Sequence, residues 1–347
     1  MPELKDEKII TSQMIADLAY VSRATVSRVI KNEPYVKESV RKRVQTIIDE
    51  YGYKPNFAGR ALVQHKRRVK IGVIGLNKKN SLYKEIYRGS LEAAEEYRSM
   101  AIEVLFRNVE DITHSSQIVN AVDELTASKI QGLALLGTDD EDVQKAIRSV
   151  DKSIPVVTFN TNISNIHELC YVGQNAQKSG RTAGALLGEL VQEGNIVVIA
   201  NSLKVLAVAE RIRAFKKYIQ ESYRGLNIIG IYENRSSDEL SYEIIKNISA
   251  KKEKIGGIYL ASGFGSGGVC SAIEDQKLKN IRIVANDMLP DTVKNIKEGR
   301  IAFTIDQELK TQGYLPIDIL AKYLLMGEKP KSKTVYTRIH IFNSQNI

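Results

Sequence analysis

From Val69 to the carboxyl terminus, short apolar runs alternate with segments that have an amphipathic helical pattern. Four runs come first (VKIGVIGL, IEVLF, IQGLALLG and IPVVTF), and five follow Asn160 (LCYVG, NIVVIA, LNIIGIY, IGGIYLAS and IRIVAND). This alternation predicts parallel β-sheets with helices packed on both faces. Nine or more strands in about 275 residues are more than one compact sheet usually carries, so we predict two lobes of this α/β type.

The composition is that of a globular protein with more than one folding unit. Of the 347 residues, 43% are apolar, which is enough for real cores. Cys170 and Cys270 lie far apart without CxxC spacing, which argues against a disulfide framework or a structural zinc site. The start MPELKDEKII lacks the apolar run of a signal peptide, and no apolar segment of membrane-spanning length follows. We therefore predict a cytoplasmic protein without metal, cofactor or membrane partner.

The positive charge of the chain is concentrated at its amino-terminal end. The net charge is +9, and residues 1–70 carry 15 Lys/Arg against 8 Asp/Glu, which is +7 of that total. The remaining residues are nearly neutral. A basic head on a neutral body predicts a polyanion-binding module joined to a second function.

The head contains a helix-turn-helix pattern in TSQMIADLAYVSRATVSRVIKN, followed by a third helix in VKESVRKRVQTIIDEYGY. Thr11 or Ser12 can cap the first helix, and Ser22 can cap the second. The residues expected to point inward are Met14, Ile15, Leu18 and Ala19, then Val26, Val29 and Ile30, then Val40, Val44, Ile47, Ile48 and Tyr51. The outer face of the second helix is small and basic, which suits a helix that enters the major groove of DNA.

The head resembles the DNA-binding domain of the LacI/GalR family of bacterial repressors. The matching positions are Ala16, Ala19, Val21-Ser22, Thr25-Val26-Ser27-Arg28-Val29, Asn32, Gly52-Tyr53, Pro55-Asn56, Arg60 and Leu62. The remainder resembles the periplasmic sugar-binding-protein fold that this family uses as its sensor. The resemblance implies a transcription factor, most simply a repressor of sugar or polyol utilisation genes, and not an enzyme. It also implies a homodimer on a palindromic operator, with a small carbohydrate-like effector.

By this resemblance, Arg23, Ala24 and Arg28 occupy base-contacting positions, and Arg28 can bind guanine O6 and N7. Phosphate contacts are expected from Thr25, Ser27, Asn32, Tyr35 and Tyr53. The full predicted DNA-binding set also includes Thr11, Ser22, Asn56, Gly59, Arg60 and Leu62. One departure is Lys37, which stands where relatives often place a serine cap, so the third helix is expected to begin less tightly.

The segment PNFAGRAL, from Pro55 to Leu62, is predicted to be a conditional hinge helix. Fewer than two helical turns are marginal in isolation. In the family this hinge folds when two copies meet in the minor groove, where Leu62 matches the leucine that opens a base step. Gly59 stands where relatives commonly carry alanine, and a glycine weakens a helix by about 0.5–1 kcal/mol.

The predicted domain organisation is a head over residues 1–54, a hinge over 55–68 and an effector-binding body over 69–347. The body is divided into lobe 1 (about 69–161 and 290–321) and lobe 2 (about 162–289 and 322–347). The three crossings between the lobes are expected near 161–165, 288–292 and 319–323.

Polar and aromatic side chains follow the ends of the predicted strands, where open parallel sheets bind ligands. The effector-binding residues predicted in this way are Asn80, Tyr83, Phe159, Asn160, Asn162, Ser262, Asp287 and Gln307. Arg211 is added because AERIRAF resembles the R-x-x-G-F element of the family, with Ala214 in place of the glycine. Arg211 and Asp287 can bridge neighbouring hydroxyls, and Tyr83 or Phe159 can stack on a sugar ring. Each also has a purely structural interpretation: a lobe-interface ion pair for the charges, a turn for Asn160 and a core position for Tyr83.

Two rival functions have some support in the sequence. Gly263, Gly265 and Gly268 spell GxGxxG after a strand, and Asp287 lies 24 residues after Gly263, which is typical of an NAD-dependent oxidoreductase. However, the motif occurs late in the chain and leaves the helix-turn-helix unexplained. The second rival is a sugar-binding protein without a regulatory role, which the basic head opposes. The acidic run Asp139–Asp142 is interpreted as a solvated helix start.

Overall fold

A computed structural model describes residues 10–30, 34–51, 68–76, 81–112, 114–251 and 253–347. In the head, these residues form α1 (Ser12–Leu18), α2 (Arg23–Ile30) and α3 (Glu38–Glu50). The three helices share a small core of fully buried side chains: Ile15, Ala16, Ala19, Val26, Val29 and Val44. The predicted hinge over 55–68 lies almost entirely outside the described residues, so the hinge helix stays a prediction.

Two residues expected in the head core are exposed instead. Leu18 is 42% exposed and Tyr51 is 45% exposed. On α1 the buried stripe runs through Ile15, Ala16 and Ala19, and Leu18 projects more than 90° away from its centre. Tyr51 follows the last residue of α3 and lies beyond the contact with the other two helices.

The body is built from twelve strands and nine further helices within the described ranges. The strands are β1 (Val69–Leu76), β2 (Ile102–Val109), β3 (Gly132–Leu135), β4 (Val156–Phe159), β5 (Cys170–Gln174), β6 (Gly194–Ala200), β7 (Leu226–Glu233), β8 (Ile255–Leu260), β9 (Arg282–Asn286), β10 (Phe303–Asp306), β11 (Thr334–Thr337) and β12 (His340–Phe342). The helices are α4 (Ser81–Arg98), α5 (Ser115–Ala127), α6 (Glu141–Ser149), α7 (Ala176–Val191), α8 (Leu206–Ser222), α9 (Asp238–Ala250), α10 (Ser266–Asp275), α11 (Pro290–Lys297) and α12 (Leu309–Met326).

The strands form two six-stranded sheets, as the alternating pattern predicted. Lobe 1 has the order β11-β5-β4-β3-β1-β2, and lobe 2 has the order β12-β10-β9-β8-β6-β7. All neighbouring strands are parallel except β10 and β12, which are antiparallel. The carboxyl ends of the parallel strands therefore share one edge in each lobe, where the site residues were expected.

The predicted positions of the lobe crossings are wrong. The chain leaves lobe 1 after β5, because Cys170 pairs with Val157 and Phe159 with Val172, so a fifth strand is added before the crossing. It returns between β10 and α12, since α11 still packs with lobe 2 whereas α12 packs on α4 and β3. The third crossing falls between β11 and β12. The crossover segments are therefore residues 174–176, 306–309 and 337–340.

The carboxyl-terminal segment forms two strands, one in each lobe. β11 extends the sheet of lobe 1 beside β5, and β12 extends the sheet of lobe 2 beside β10. Two residues, Arg338 and Ile339, separate them. Among the helices in the described part of the chain, none has both the length and the apolar character needed to cross a bilayer.

Candidate functional site

The outer face of α2 presents the predicted base-contacting residues. Arg23, Ala24 and Arg28 are exposed, whereas Thr25 and Ser27 are half-buried. Val26 and Val29 hold the opposite face of this helix in the head core. The helix therefore offers two guanidinium groups and one methyl-sized residue on its solvent side. This is the arrangement expected of a helix that contacts base edges in the major groove.

The hydroxyl groups of the head act as helix caps. Thr11 Oγ1 accepts from Met14 N at 3.2 Å, and Ser22 Oγ accepts from Thr25 N at 3.2 Å, as predicted. At the start of α3, Lys37 makes no side-chain capping bond, in agreement with the looser start expected there. Tyr35, in the turn before α3, is 90% exposed. The predicted contacts Asn32, Tyr53, Asn56, Gly59, Arg60, Leu62 and, in the body, Asn80 lie outside the described residues.

Arg211 lies on α8 with its guanidinium buried at the edge of lobe 2, and only 3% of the residue is exposed. Nη1 donates to the carbonyl oxygen of Ala261 at 2.7 Å, and Nη2 donates to Gln174 Oε1 at 3.3 Å. Within the described ranges, its Nε finds no hydrogen-bond partner. A buried donor without an acceptor carries a desolvation cost that a bound ligand can remove.

Asp287 follows β9 in a left-handed conformation (φ 68°) and is 1% exposed. Burial raises the pKa of this carboxyl group to about 6, although the positive charge of Arg211 and a hydrogen bond from Gln307 act in the opposite direction. Gln307 Nε2 donates to Asp287 Oδ1 at 2.5 Å. Three of the predicted site residues are thus brought together by α8, β9 and β10.

Ser262 also belongs to this edge, but its hydroxyl group is engaged. Ser262 Oγ accepts from the backbone N–H of Asn201 at 2.9 Å, and the serine is 5% exposed. Asn201 follows β6, and its Oδ1 atom is buried without a donor in the described part of the chain. In lobe 1, the hydroxyl group of Thr161, which follows β4, is likewise buried and unpaired within those ranges. The strand ends of the two lobes therefore hold one unmatched acceptor, Asn201 Oδ1, and unmatched donors in Arg211 and Thr161.

The two aromatic candidates have different surroundings. Phe159 is 1% exposed and packs in the core of lobe 1, so its ring presents no open face for stacking. Tyr83, on α4, is half-buried against the same core. Burial raises the pKa of its phenol, and the charges of Asp287 and Asp111 add to this effect. Because Asp287 belongs to lobe 2, its charge acts on the phenol of Tyr83 from the other lobe.

Asn160 and Asn162 have structural partners. Asn160 has a positive φ of 61°, as expected for a turn former, and its Nδ2 donates to Gln312 Oε1 at 2.9 Å. Asn162 Oδ1 accepts from Thr158 Oγ1 at 3.1 Å and from the N–H of Ile163 at 2.8 Å. Asn162 is thus held in the loop after β4, and no hydrogen bond between it and Arg211 or Asp287 is present.

Sequence reasoning missed two buried glutamines at this edge. Gln174 is the last residue of β5, so the strand-end argument applied to that strand would have found it. Gln312 is fully buried within α12, where no local sequence pattern distinguishes it from a surface glutamine. Asn201 was also missed, although it directly follows β6.

In the glycine-rich loop after β8, the side chain of Asp238 fills the position where a phosphate would bind. Gly265 adopts φ 93° at the start of α10, and Asp238 Oδ1 accepts from the N–H of Gly268 at 2.9 Å. A carboxylate of α9 therefore sits at the helix amino terminus where a dinucleotide phosphate would bind. Gly263 leaves room for Asp287, because an added Cβ atom would lie 2.9 Å from the carboxylate. These glycines are explained by packing.

The acidic run after β3 starts a helix, as predicted. Asp140 caps α6 by accepting from the N–H groups of Asp142 and Val143. Asp139 Oδ1 accepts from the N–H and the hydroxyl group of Ser164, each at 2.8 Å. In the described ranges, no group of three or more His, Cys, Asp or Glu side chains is arranged to hold a metal ion.

Solved structures with this body fold include sugar-binding proteins. The glucose-galactose binding protein GanP of Geobacillus stearothermophilus superposes with a TM-score of 0.72 at 22% identity, over 81% of this chain and 99% of that one. A solute-binding protein of Bacillus halodurans, determined with bound myo-inositol, has a TM-score of 0.73 at 19% identity, over 80% and 96%. At these identities the likeness establishes the fold.

Sequence relatives are bacterial regulators. Catabolite control protein A of Priestia megaterium is 23% identical over 282 residues, which is 80% of each chain. Catabolite control protein A of Streptococcus mutans is 31% identical over 186 residues, or 54% of each chain. The "Probable HTH-type transcriptional repressor ExuR" of Bacillus subtilis is 26% identical over 157 residues, or 45% of each chain.

Two family models match consecutive parts of the chain. The model described as "Bacterial regulatory proteins, lacI family" covers residues 13–56, and the model "Periplasmic binding protein domain" covers residues 71–329. Both agree with the architecture: a helix-turn-helix head and a two-lobed α/β body with its polar residues at the strand ends. The chain therefore belongs to the LacI family of DNA-binding bacterial transcription regulators, with a periplasmic-binding-protein domain as its sensor.

Proposed function

We propose that this regulator is a cytoplasmic repressor of carbohydrate-utilisation genes and not an enzyme. It binds a palindromic operator as a homodimer, because one recognition helix makes too few base contacts for useful specificity. A small sugar or polyol bound between the lobes changes its affinity for the operator. By linkage, the operator and the effector change each other's binding constant by the same factor.

The observation that carries the effector assignment is the set of unmatched polar atoms around a buried pair of opposite charges. Arg211 Nε is an unused donor, and Asn201 Oδ1 is an unused acceptor within the described residues. A hydroxyl group donates one hydrogen bond and accepts others, so a polyhydroxylated molecule can satisfy both atoms. Asp287, held by Gln307, supplies a carboxylate that accepts from further hydroxyls.

The relatives support the same assignment. The sequence relatives include catabolite control proteins and a probable transcriptional repressor, and proteins with this body fold include a glucose-galactose binding protein and solute-binding proteins in complex with D-arabinose and with myo-inositol. These ligands are neutral and rich in hydroxyls. The occupation of the glycine-rich loop by Asp238 speaks against the alternative NAD-dependent oxidoreductase.

The effector site is tested by thermal-shift measurements of the full chain with D-glucose, D-galactose, D-arabinose and myo-inositol, and with related sugars, polyols and sugar phosphates. A ligand that raises the melting temperature of the native protein should lose this effect with Arg211→Ala or Asp287→Ala. Arg213→Ala, at an exposed position on the same helix, serves as the matched control and should behave as the native protein. Ligand shifts that survive both site substitutions would place the effector elsewhere.

The DNA-binding role is tested at Arg28, on the exposed face of α2. A bidentate contact to guanine contributes about 1–3 kcal/mol of discrimination. Arg28→Ala should therefore reduce the ratio of affinities between operator variants by about 5- to 150-fold, while binding to unrelated DNA changes little. Selection of bound sequences from a random library measures this preference. The same preferred sequence for the native protein and the variant would contradict the base-contacting role.

A further inference from the structure

We infer that Gln312 is a positioning residue that joins the effector-site acid to the crossover segments and thereby sets the angle between the lobes. It touches neither Arg211 nor Asp287 directly. Its partners are instead Gln307, which holds Asp287, and the segments on which the lobes must rotate. That these residues form an effector site rests on the proposed function, whereas the hydrogen bonds from Asp287 through Gln307 to Gln312 are independent of it.

The amide group of Gln312 contacts three separate segments of the chain while the residue is fully buried. Nε2 donates to the carbonyl oxygen of Gln307 at 2.7 Å and lies 3.4 Å from Thr337 Oγ1. Its Oε1 accepts from Asn160 Nδ2 at 2.9 Å. One side chain thus links the second crossover segment, the end of β11 at the third crossover segment and the turn after β4.

Gln307 continues this chain into the effector site. Its own carbonyl oxygen accepts from Gln312 and from Thr337 Oγ1, and its side-chain Nε2 donates to Asp287 Oδ1. Gln312 Nε2 also lies 3.3 Å from Gln307 Oε1. Any movement of the Asp287 carboxylate is therefore transmitted through Gln307 to Gln312 and to the start of α12, which packs in lobe 1.

A parallel link serves the first crossover segment. Gln174 Oε1 accepts from Arg211 Nη2, and Gln174 Nε2 donates to the carbonyl oxygen of Asp306 at 3.1 Å. Both effector-site charges are therefore connected to crossover segments through a buried glutamine. Among the described residues, Gln312 is the one whose side chain reaches two of these segments and also the lobe 1 turn at Asn160.

The backbone of α12 lacks one hydrogen bond next to Gln312, so the position of its first turn depends more on the side chain of Gln312. Pro316 lies four residues later within α12 and has no N–H to donate to the carbonyl oxygen of Gln312. The first turn of α12 is therefore tied less firmly to the rest of the helix, and the side chain of Gln312 supplies a larger share of its fixation. Buried polar networks of this kind favour one arrangement over alternatives when every member is satisfied.

The inference is tested without any ligand, by measuring the distance between spin labels on the two lobes of the full chain. The labels are placed at Glu141→Cys and Lys204→Cys, two exposed positions near the strand ends of lobe 1 and lobe 2. Cys170 and Cys270 are buried, and burial raises the pKa of each thiol to about 12, so they do not compete for the label.

Gln312→Met keeps the length of the side chain and removes its hydrogen bonds. We expect it to shift the ratio of lobe arrangements by about fivefold or more, which is the effect of one lost hydrogen bond. Gln220→Met, at an exposed position of α8, is the matched control and should leave the distance distribution unchanged. A purely structural role would lower the melting temperature without altering this distribution.

A double-mutant cycle tests the connection to the effector site. Asp287→Ala should change the distance distribution when Gln312 is present and add little when Gln312→Met is already in place. If Gln312→Met leaves the distribution unchanged, or if the two effects are additive, the inference is wrong. If Gln312→Met does not fold, Thr337→Val is the second variant, because it removes one partner of the same network. It should change the distance distribution in the same direction but by less. An unchanged distribution with Thr337→Val would also overturn the inference. A sugar screen without hits would overturn the proposed effector and leave this result unaffected.

Discussion

At the scale of single residues, Asp287 shows that burial by the fold imposes an electrostatic cost on a residue of the proposed effector site. The carboxyl group is buried beside Arg211, and its pKa of about 6 lies well above the usual range for aspartate. The folded state therefore binds a proton at this position more readily than the unfolded state. The contribution of Asp287 to stability is most favourable below about pH 4 and is lost as the pH rises through 6.

Asp287→Asn removes this titration and keeps an oxygen acceptor for Gln307. We expect the variant to exceed the native protein in free energy of unfolding by about 2–3 kcal/mol near pH 8, with the difference vanishing towards pH 4. Unfolding curves measured between pH 4 and 8 test this. Asp139→Asn is the control of opposite sign, because hydrogen bonds from Ser164 and Gln144 lower the pKa of Asp139 despite partial burial. If the gain in free energy of unfolding from Asp287→Asn did not vary with pH, the raised pKa of Asp287 would be contradicted.

At the scale of elements, the closest helix pair of lobe 1 depends on two glycines. A Cβ atom on Gly89 of α4 would overlap the carbonyl oxygen of Lys310, and one on Gly313 of α12 would overlap that of Ile86. Ser90 Oγ also donates to the carbonyl oxygen of Gly313 at 3.0 Å. Because α12 carries Gln312, the fit of this helix pair also determines where the positioning amide lies.

Gly313→Ala should destabilise the body by about 1–3 kcal/mol, because the cost of overpacking exceeds the gain in helix propensity. Gly75→Ala is the matched control. Gly75 lies in β1 and has no atom within 4 Å of an added Cβ, so the substitution should be neutral or slightly stabilising. Denaturant unfolding of both variants measures the difference. Equal stability of the two variants would mean that the helices can separate at little cost.

At the scale of the whole molecule, the head and the body have separate cores. The residues that pack with Val44 in the head core all belong to residues 10–48, whereas Phe215 packs in lobe 2 and stacks on Tyr259 with 4.4 Å between ring centroids. Cores that share no residues can lose stability independently.

Val44→Ala should therefore weaken operator binding by lowering the stability of the head, by about 1–3 kcal/mol, without changing the unfolding of the body. Phe215→Ala should do the reverse and lower the free energy of unfolding of the body by about 3–5 kcal/mol. Hydrogen exchange resolved by segment distinguishes the two. Loss of protection in both parts with either substitution would show that head and body unfold as one cooperative unit.

Four residues of the proposed site carry a local signal in the sequence. Strand ends can be located from apolar runs, which pointed to Ser262, Asp287 and Gln307, whereas Arg211 was chosen from the family's R-x-x-G-F element and lies within α8. The structure places all four at one edge of lobe 2, and their role in effector binding stays a prediction. Gln312 has no such signal, because its importance comes from Asn160 and Thr337, which are distant in sequence. Leu18 was misplaced because a short helix has few residues to define its buried face.

Side-chain periodicity was enough to predict the helices of the head and the α/β class of both lobes, and the resemblance of the head motifs was enough to predict the LacI family. The points at which the chain passes between the lobes depend on tertiary contacts, since β5 could be assigned to lobe 1 only once its pairing with β4 was known. Tertiary contacts also determine which glutamines bridge the crossover segments. Strand pairing and burial depend on contacts between residues that are distant in the sequence, and the free energy of such contacts cannot be inferred from the pattern of neighbouring residues.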